Sequence, residues 1–265
     1  MSIPAPIVNK EHGAWAMYLT PMAVGIVIGN VVTWNHLLLL IVATAFFLLS
    51  VPVRELALRK GTADTVRTAS WWIAVYGTIG IMFTIPLLTQ GHWGVLPIGL
   101  CAAVSILAIL LIPRTKRTSR LSNVLAVSGL SSTGPASYYL STGLIDRAAC
   151  IVWLLSVVFF LLTTMIVYRS IHQRTREKRT YEWDRPQIVL GDSLTVTMVI
   201  VTFITIVVLW SVQSVAVLFA FVPVGVDLLC SVSQFFPSTT LKRTGIRLAV
   251  HSVLFPFLVL FFGHR

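Results

Sequence analysis

Lys10-Glu11-His12-Gly13-Ala14-Trp15-Ala16-Met17 carries the chain, within a few residues, from a charged start into its first long apolar segment, Gly13 to Val32. As a helix rising about 1.5 Å per residue, some 20 apolar residues cross the roughly 30 Å hydrocarbon layer of a bilayer. The residues before it, Met1 to Val8, are few and proline-rich, and no small-residue cleavage site follows the apolar run. The stretch is therefore expected to enter a membrane and stay, and not to be a cleaved signal peptide.

Composition points the same way. Of 265 residues, 56% are hydrophobic and 11% charged, with a mean hydropathy of +0.87. Soluble globular domains carry about a quarter charged residues, so the expected class is all-α, a polytopic membrane helical bundle forming one domain over residues 1–265. The net charge of +11 would suggest nucleic acid in a soluble chain. Here the basic residues cluster between apolar runs, as in loops facing the cytoplasm, and no nucleic-acid partner is expected. Cys101, Cys150 and Cys230 lie in or at the ends of different apolar runs without paired or metal-ligand spacing, and read as small hydrophobes.

Cutting the chain at charged or turn-rich breaks gives nine expected spans, approximately 13–32, 37–53, 69–88, 94–112, 121–140, 148–168, 188–210, 212–230 and 245–262. The seventh and eighth are nearly continuous around Trp210-Ser211-Val212-Gln213-Ser214, which makes eight the alternative count. Lys and Arg in short loops set orientation. With the N-terminus inside, the inner connections collect 18 of the 20 basic residues, and the outside keeps Arg147 and Arg265. The outer connections, Trp34-Asn35-His36 and Gln90-Gly91-His92-Trp93, suit an interfacial belt, and His36, His92 and His264 read as plain interfacial residues. The expected topology is N-in, C-out.

A charge at the centre of a span costs about 3 kcal/mol on insertion scales, so polar residues inside the apolar runs are the site candidates. They are Glu11 and His12 at the first span, Arg54 and Glu55 closing the second, Arg67 before the third and Asn123 starting the fifth. Arg169 and His172 close the sixth, Asp192 opens the seventh, Asp227 ends the eighth, and Arg247 and His251 lie in the ninth. All fall in the inner half of this topology. Arginines near helix ends reach the interface with long side chains, but carboxylates do not, so Asp192 and Asp227 call for a basic partner or a wet cavity. The expected feature is a cytoplasm-facing polar cavity. Arginine's planar fork would favour a phosphate or carboxylate there, with membrane lipids as the surrounding partners.

Two further stretches stand out. Tyr168 to Arg185 reads as the sixth helix continuing into the cytoplasm and turning at Asp184-Arg185-Pro186, with Arg169 and His172 on one face. Ser128 to Ser137, rich in serine and glycine and containing Pro135, reads as a close-packing surface with a proline kink. No base sits at a readable spacing from these serines, which leaves Ser/His hydrolysis without support.

The N-terminal string, followed by Pro21 and Gly25, resembles the opening of the YwiC-like family of bacterial integral membrane proteins. Tyr76-Gly77, Arg120-Leu121-Ser122-Asn123, Ser137-Tyr138-Tyr139-Leu140, Val167-Tyr168-Arg169-Ser170-Ile171 and Lys242-Arg243-Thr244-Gly245-Ile246 extend the resemblance. It implies fold and membrane location and assigns no catalytic residue. The topology is more distantly similar to that of UbiA-type intramembrane prenyltransferases, which hold Mg²⁺ and a prenyl diphosphate on Asp-rich motifs. This chain departs from them, because no two of its acidic residues are four apart, and no metal site is expected.

Three functions stay open on these residues. One is a bundle holding an anionic lipid or isoprenoid phosphate on its arginines, as a binder or as a metal-independent enzyme. The second is a transporter or assembly factor. The third is a haem or quinone partner through His12, His172 or His251. No cofactor is assigned.

Overall fold

The computed structural model describes residues 5–7, 12–57, 63–111, 116–177, 219–233 and 241–263. Its regular elements among the described residues are helices: α1 His12–Gly29, α2 Trp34–Ala57, α3 Ala63–Thr89, α4 Val95–Leu111, α5 Lys116–Leu130, α6 Thr133–Thr142, α7 Arg147–Glu177, α8 Val222–Ser233 and α9 Leu241–Gly263. Among the described residues, four segments are long and apolar enough to cross a membrane: Trp34–Ala57, Asp64–Thr89, Arg147–Tyr168 and Arg243–Phe261. Gly13–Gly29, Val95–Leu110 and Phe219–Leu228 are shorter apolar helical stretches.

The expected spans 13–32, 37–53, 69–88, 94–112, 148–168 and 245–262 fall on α1, α2, α3, α4, α7 and α9. The span 188–210 lies outside the described residues, and α8 covers the end of 212–230. The sixth helix continues beyond its apolar part, since α7 runs to Glu177. Contacts divide the chain into two compact units, Met1–Ser156 and Val157–Arg265.

In the first unit, α1 lies on α6, α2 on α3 and α4 on α5. α1 stops at Asn30, whose positive φ of 54° is tolerated because asparagine visits the left-handed region more readily than most residues. α1 and α6 run parallel. Thr133 Oγ1 donates to the Tyr18 carbonyl at 2.7 Å, and one turn further along both helices Ser137 Oγ donates to the Met22 carbonyl at 2.8 Å. Met22, Leu38, Leu39, Val42, Leu87, Val95, Ala136, Tyr139 and Leu140 form the adjoining apolar core.

The expected fifth span is two helices, broken at Ser131-Ser132 between α5 and α6. Pro135 has no N–H to give the Ser131 carbonyl and its ring crowds that carbonyl, so the continuous helix fails here. The Ser132 N–H turns to the Gly129 carbonyl at 3.3 Å. That leaves the Ser128 carbonyl to Trp153, whose indole N–H donates to it at 2.9 Å. Ser132 Oγ donates to Gly129 O at 2.7 Å and Thr133 Oγ1 also reaches Leu130 O at 3.1 Å, so hydroxyls take over the freed carbonyls. Broken helices at membrane depth require such replacements.

The outward faces carry apolar stripes. On α4, Leu96, Leu100, Val104 and Leu107 recur at helical spacing and are each at least 44% exposed. In the second unit, Ile246, Val250, Val253, Leu254, Phe257 and Phe261 form a like stripe along α9, each at least 42% exposed. Contiguous exposed apolar stripes are rare on soluble monomers and suit contact with lipid. The opposite face of α9 is buried: Phe255 stacks on Phe159 of α7 at 4.2 Å between ring centroids and meets Phe221 edge-on at 5.1 Å.

Candidate functional site

Among the sequence candidates, the structure brings three together. Asp227 lies midway along α8, and Arg247 and His251 lie one turn apart in the N-terminal half of α9. Arg247 Nε stands 2.8 Å from Asp227 Oδ2, and His251 Nδ1 stands 3.6 Å from the same oxygen. The His contact is too long for a hydrogen bond. The Arg contact is short, yet its N–H does not point along the line to the oxygen, so it is an ion pair without an aligned hydrogen bond. Asp227 Oδ2, Arg247 Nε and His251 Nδ1 thus all keep unfilled hydrogen-bonding capacity among the described residues.

Exposure is unequal across the cluster. The Asp227 and His251 side chains are each 12% exposed and that of Arg247 is 38% exposed. Because Arg247 Nε is itself buried, the exposure belongs to the rest of the side chain. The arrangement is a guanidinium held from behind by a carboxylate and open on its outer side. Arg243, one turn before Arg247, puts a second cation on the same face near the N-terminus of α9, where the helix dipole also favours an anion.

Arg54 and Glu55 are exposed in the last turns of α2, and Arg67 is exposed near the start of α3. Asn123 is half-buried in α5. His12, Arg169 and His172 belong to α1 and α7, but their side chains lie outside the described set. Glu11 and Asp192 lie outside the described residues altogether. Among the described residues, no group of three His, Cys, Asp or Glu side chains is placed to hold a metal ion.

One residue is corrected by the structure. His36, expected to be a plain interfacial residue, is 4% exposed. The Thr33 N–H donates to His36 Nδ1 at 3.0 Å, which makes Nδ1 an acceptor and places the proton on Nε2. Nε2 then donates to the Ser137 carbonyl at 3.0 Å and lies 3.1 Å from Ser141 Oγ. A histidine–serine pair at that distance invites comparison with a base and its nucleophile. The tautomer argues against it, because Nε2 carries the proton and Ser141 Oγ donates to the Val31 carbonyl at 2.8 Å. His36 is a lock between the start of α2 and the end of α6. Around it, Asn35 Nδ2 meets His92 Nε2 at 2.8 Å, and the Gly94 N–H donates to the Tyr139 hydroxyl at 3.2 Å. These bonds fasten three connections at one end of the first unit.

Residues 8–138 match the family described as YwiC-like protein. The Bacillus subtilis (strain 168) protein named "Uncharacterized protein YwiC" is 29% identical over 187 residues, covering 66% of this chain and 71% of that protein. A Haemophilus influenzae (strain ATCC 51907 / DSM 11121 / KW20 / Rd) protein named "Uncharacterized protein" is 26% identical over 178 residues, covering 67% and 71%. No solved structure matches. The family match contains His36 and its acceptor Ser137, and ends before Ser141 and before the Asp227, Arg247 and His251 cluster.

Proposed function

We propose that this chain, a member of the YwiC-like family, is an integral membrane protein that holds an anionic amphiphile, a phosphorylated lipid or isoprenoid phosphate, at Arg247. The observation that carries this reading is the placement of Arg247 at the head of an apolar stripe. From Arg247, the exposed positions Val250, Leu254, Phe257 and Phe261 follow on one side of α9, covering 14 residues or roughly 21 Å of helix. That length suits a hydrocarbon tail, and a guanidinium restrained by Asp227 presents its outer N–H groups to a phosphate with little further ordering.

The finer parts of this reading are a bundle of nine spans with a cytoplasmic N-terminus in the bacterial inner membrane, and a likeness in topology to UbiA-type prenyltransferases. Any chemistry on the ligand would proceed without magnesium, since the paired carboxylates that hold it in those enzymes have no counterpart in this sequence. Lipid analysis and native mass spectrometry of protein purified from its own membrane test the reading. A phosphorylated amphiphile should accompany the wild type, diminish in Arg247→Lys, which keeps the charge and loses the fork, and vanish from Arg247→Ala. Equal lipid retention in all three would remove the proposal.

A second reading, transport, is favoured by one feature. Asp227 and His251 are titratable, close and not fully hydrogen-bonded, a combination that marks proton or substrate paths in membrane proteins. Uptake by reconstituted vesicles, with the solute chemically unchanged, would select it.

A further inference from the structure

Residues Ala5, Pro6 and Ile7 carry no regular secondary structure and lie against α3. The Trp72 indole N–H donates to the Ala5 carbonyl at 2.9 Å, and the Tyr76 hydroxyl donates to the Ile7 carbonyl at 3.3 Å. The two rings are 5.2 Å apart and tilted by 30°, forming one continuous aromatic surface.

The spacing of these groups is a match between two periodicities. Trp72 and Tyr76 stand four residues apart, so α3 presents its two donors about 6.0 Å apart along its axis. A polyproline-type segment advances about 3.1 Å per residue, so carbonyls two residues apart are separated by about 6.2 Å. Pro6 fixes its own φ and excludes the helical region for Ala5, which pre-sets the segment in such an extended form before it docks. Lower-numbered residue meets lower-numbered residue, so the segment runs parallel to α3. A side-chain donor aimed at each of two peptide carbonyls, over an aromatic floor, is the chemistry by which extended proline-containing peptides are recognised.

We infer that the Trp72 and Tyr76 face of α3 is a receptor surface for an extended, proline-containing peptide, and that its occupant is this chain's own N-terminal segment at Ala5–Ile7. The segment acts as a strap that ties residues 5–7 to α3, whereas the body of α1 is stitched to α6. This inference is independent of the Arg247 site.

Limited trypsin digestion of the full-length protein in detergent micelles tests it, read by intact mass. Cleavage after Lys10 requires the residues on both sides, Ile7 included, to leave the surface and enter the protease. The Trp72→Phe/Tyr76→Phe double variant keeps both rings and removes both donors, and Pro6→Gly removes the pre-set extension. Each should release residues 1–10 roughly tenfold faster than wild type. Equal rates in folded variants, judged by unchanged thermal midpoints, would overturn the inference. Should the double variant not fold, Trp72→Phe alone and Pro6→Gly decide the matter in the same way. A wild-type rate that falls as protein concentration rises would place a second copy's segment on the surface, which overturns the assignment to the chain's own N-terminus. A rate independent of concentration supports it.

Discussion

Ser137 Oγ donates a 2.8 Å hydrogen bond to the Met22 carbonyl across 115 residues of sequence, and the same hydroxyl lies 2.9 Å from the Gly134 carbonyl of its own helix. Together with Thr133 and Tyr18 one turn away, it fixes the parallel register of α1 and α6. Pro21 lies between the two acceptor carbonyls and leaves the Met17 carbonyl of α1 without its ladder donor.

Replacing Ser137 with alanine should therefore destabilise the fold by about 0.6 to 1.7 kcal/mol, the range for hydrogen bonds between helices in membranes. Thermal or SDS unfolding in a fixed detergent measures the change. Thr133→Val should cost a similar amount, and an undiminished midpoint in both variants would contradict the stitching of α1 to α6.

Gly25 is tighter still. A Cβ there would overlap Ser137 Oγ and the Gly134 carbonyl, and one of these is backbone that cannot move aside alone. Gly25→Ala should cost about 1 to 3 kcal/mol by forcing α1 and α6 apart. Gly77, within α3, has open space around its Cβ position. Gly77→Ala should be neutral or stabilise by up to about 1 kcal/mol, because alanine is the better helix former. The difference between the two variants is the diagnostic quantity, since both make the same chemical change in a helix.

What the sequence made legible follows from range. The helices rest on local apolar runs, and α1 to α4, α7 and α9 stand where those runs lie. The tightness of the α1 and α6 contact was also visible, as small residues from Ser128 to Ser137. Its proline was expected to kink one helix, whereas Pro135 and the hydroxyls around it complete a break into two. His36 was misread because its partners Ser137 and Ser141 lie 101 and 105 residues away, a pairing no local pattern encodes. Asp227 was legible in kind, as a carboxylate in an apolar run that must find a base. Which base was not, because Arg54, Arg67, Arg169 and Arg247 look equivalent until the chain is folded.

His36 yields a spectroscopic prediction. With Nδ1 accepting from the Thr33 N–H and Nε2 facing the Ser137 carbonyl, the geometry matches the tautomer with its proton on Nε2. Nitrogen NMR of the labelled protein should show that tautomer for His36. His36→Phe leaves the Thr33 N–H without its side-chain acceptor and removes the donor to Ser137, and should cost about 1 to 3 kcal/mol. A variant as stable as wild type would mean that the lock between α2 and α6 carries no energy.

The pair of Asp227 and Arg247 gives the prediction that bears most on function. Removing one partner of a fully buried ion pair costs about 3 to 5 kcal/mol, because the survivor stays charged and unpaired. Arg247 is 38% exposed and can turn to water or headgroups once released, so Asp227→Asn should cost less, about 1 to 2 kcal/mol. A double-mutant cycle with Arg247→Gln isolates the coupling between them, which should be favourable and of similar size. The two substitutions should separate in binding. Arg247→Gln takes away the ion that faces outward and should abolish retention of a phosphorylated amphiphile. Asp227→Asn leaves that ion in place without its counter-charge, and should retain the amphiphile at least as strongly while the fold is weaker. Opposite effects on stability and lipid retention in one variant would show that Asp227 restrains the arginine and Arg247 holds the ligand. Parallel losses in both variants would reduce the cluster to a structural ion pair.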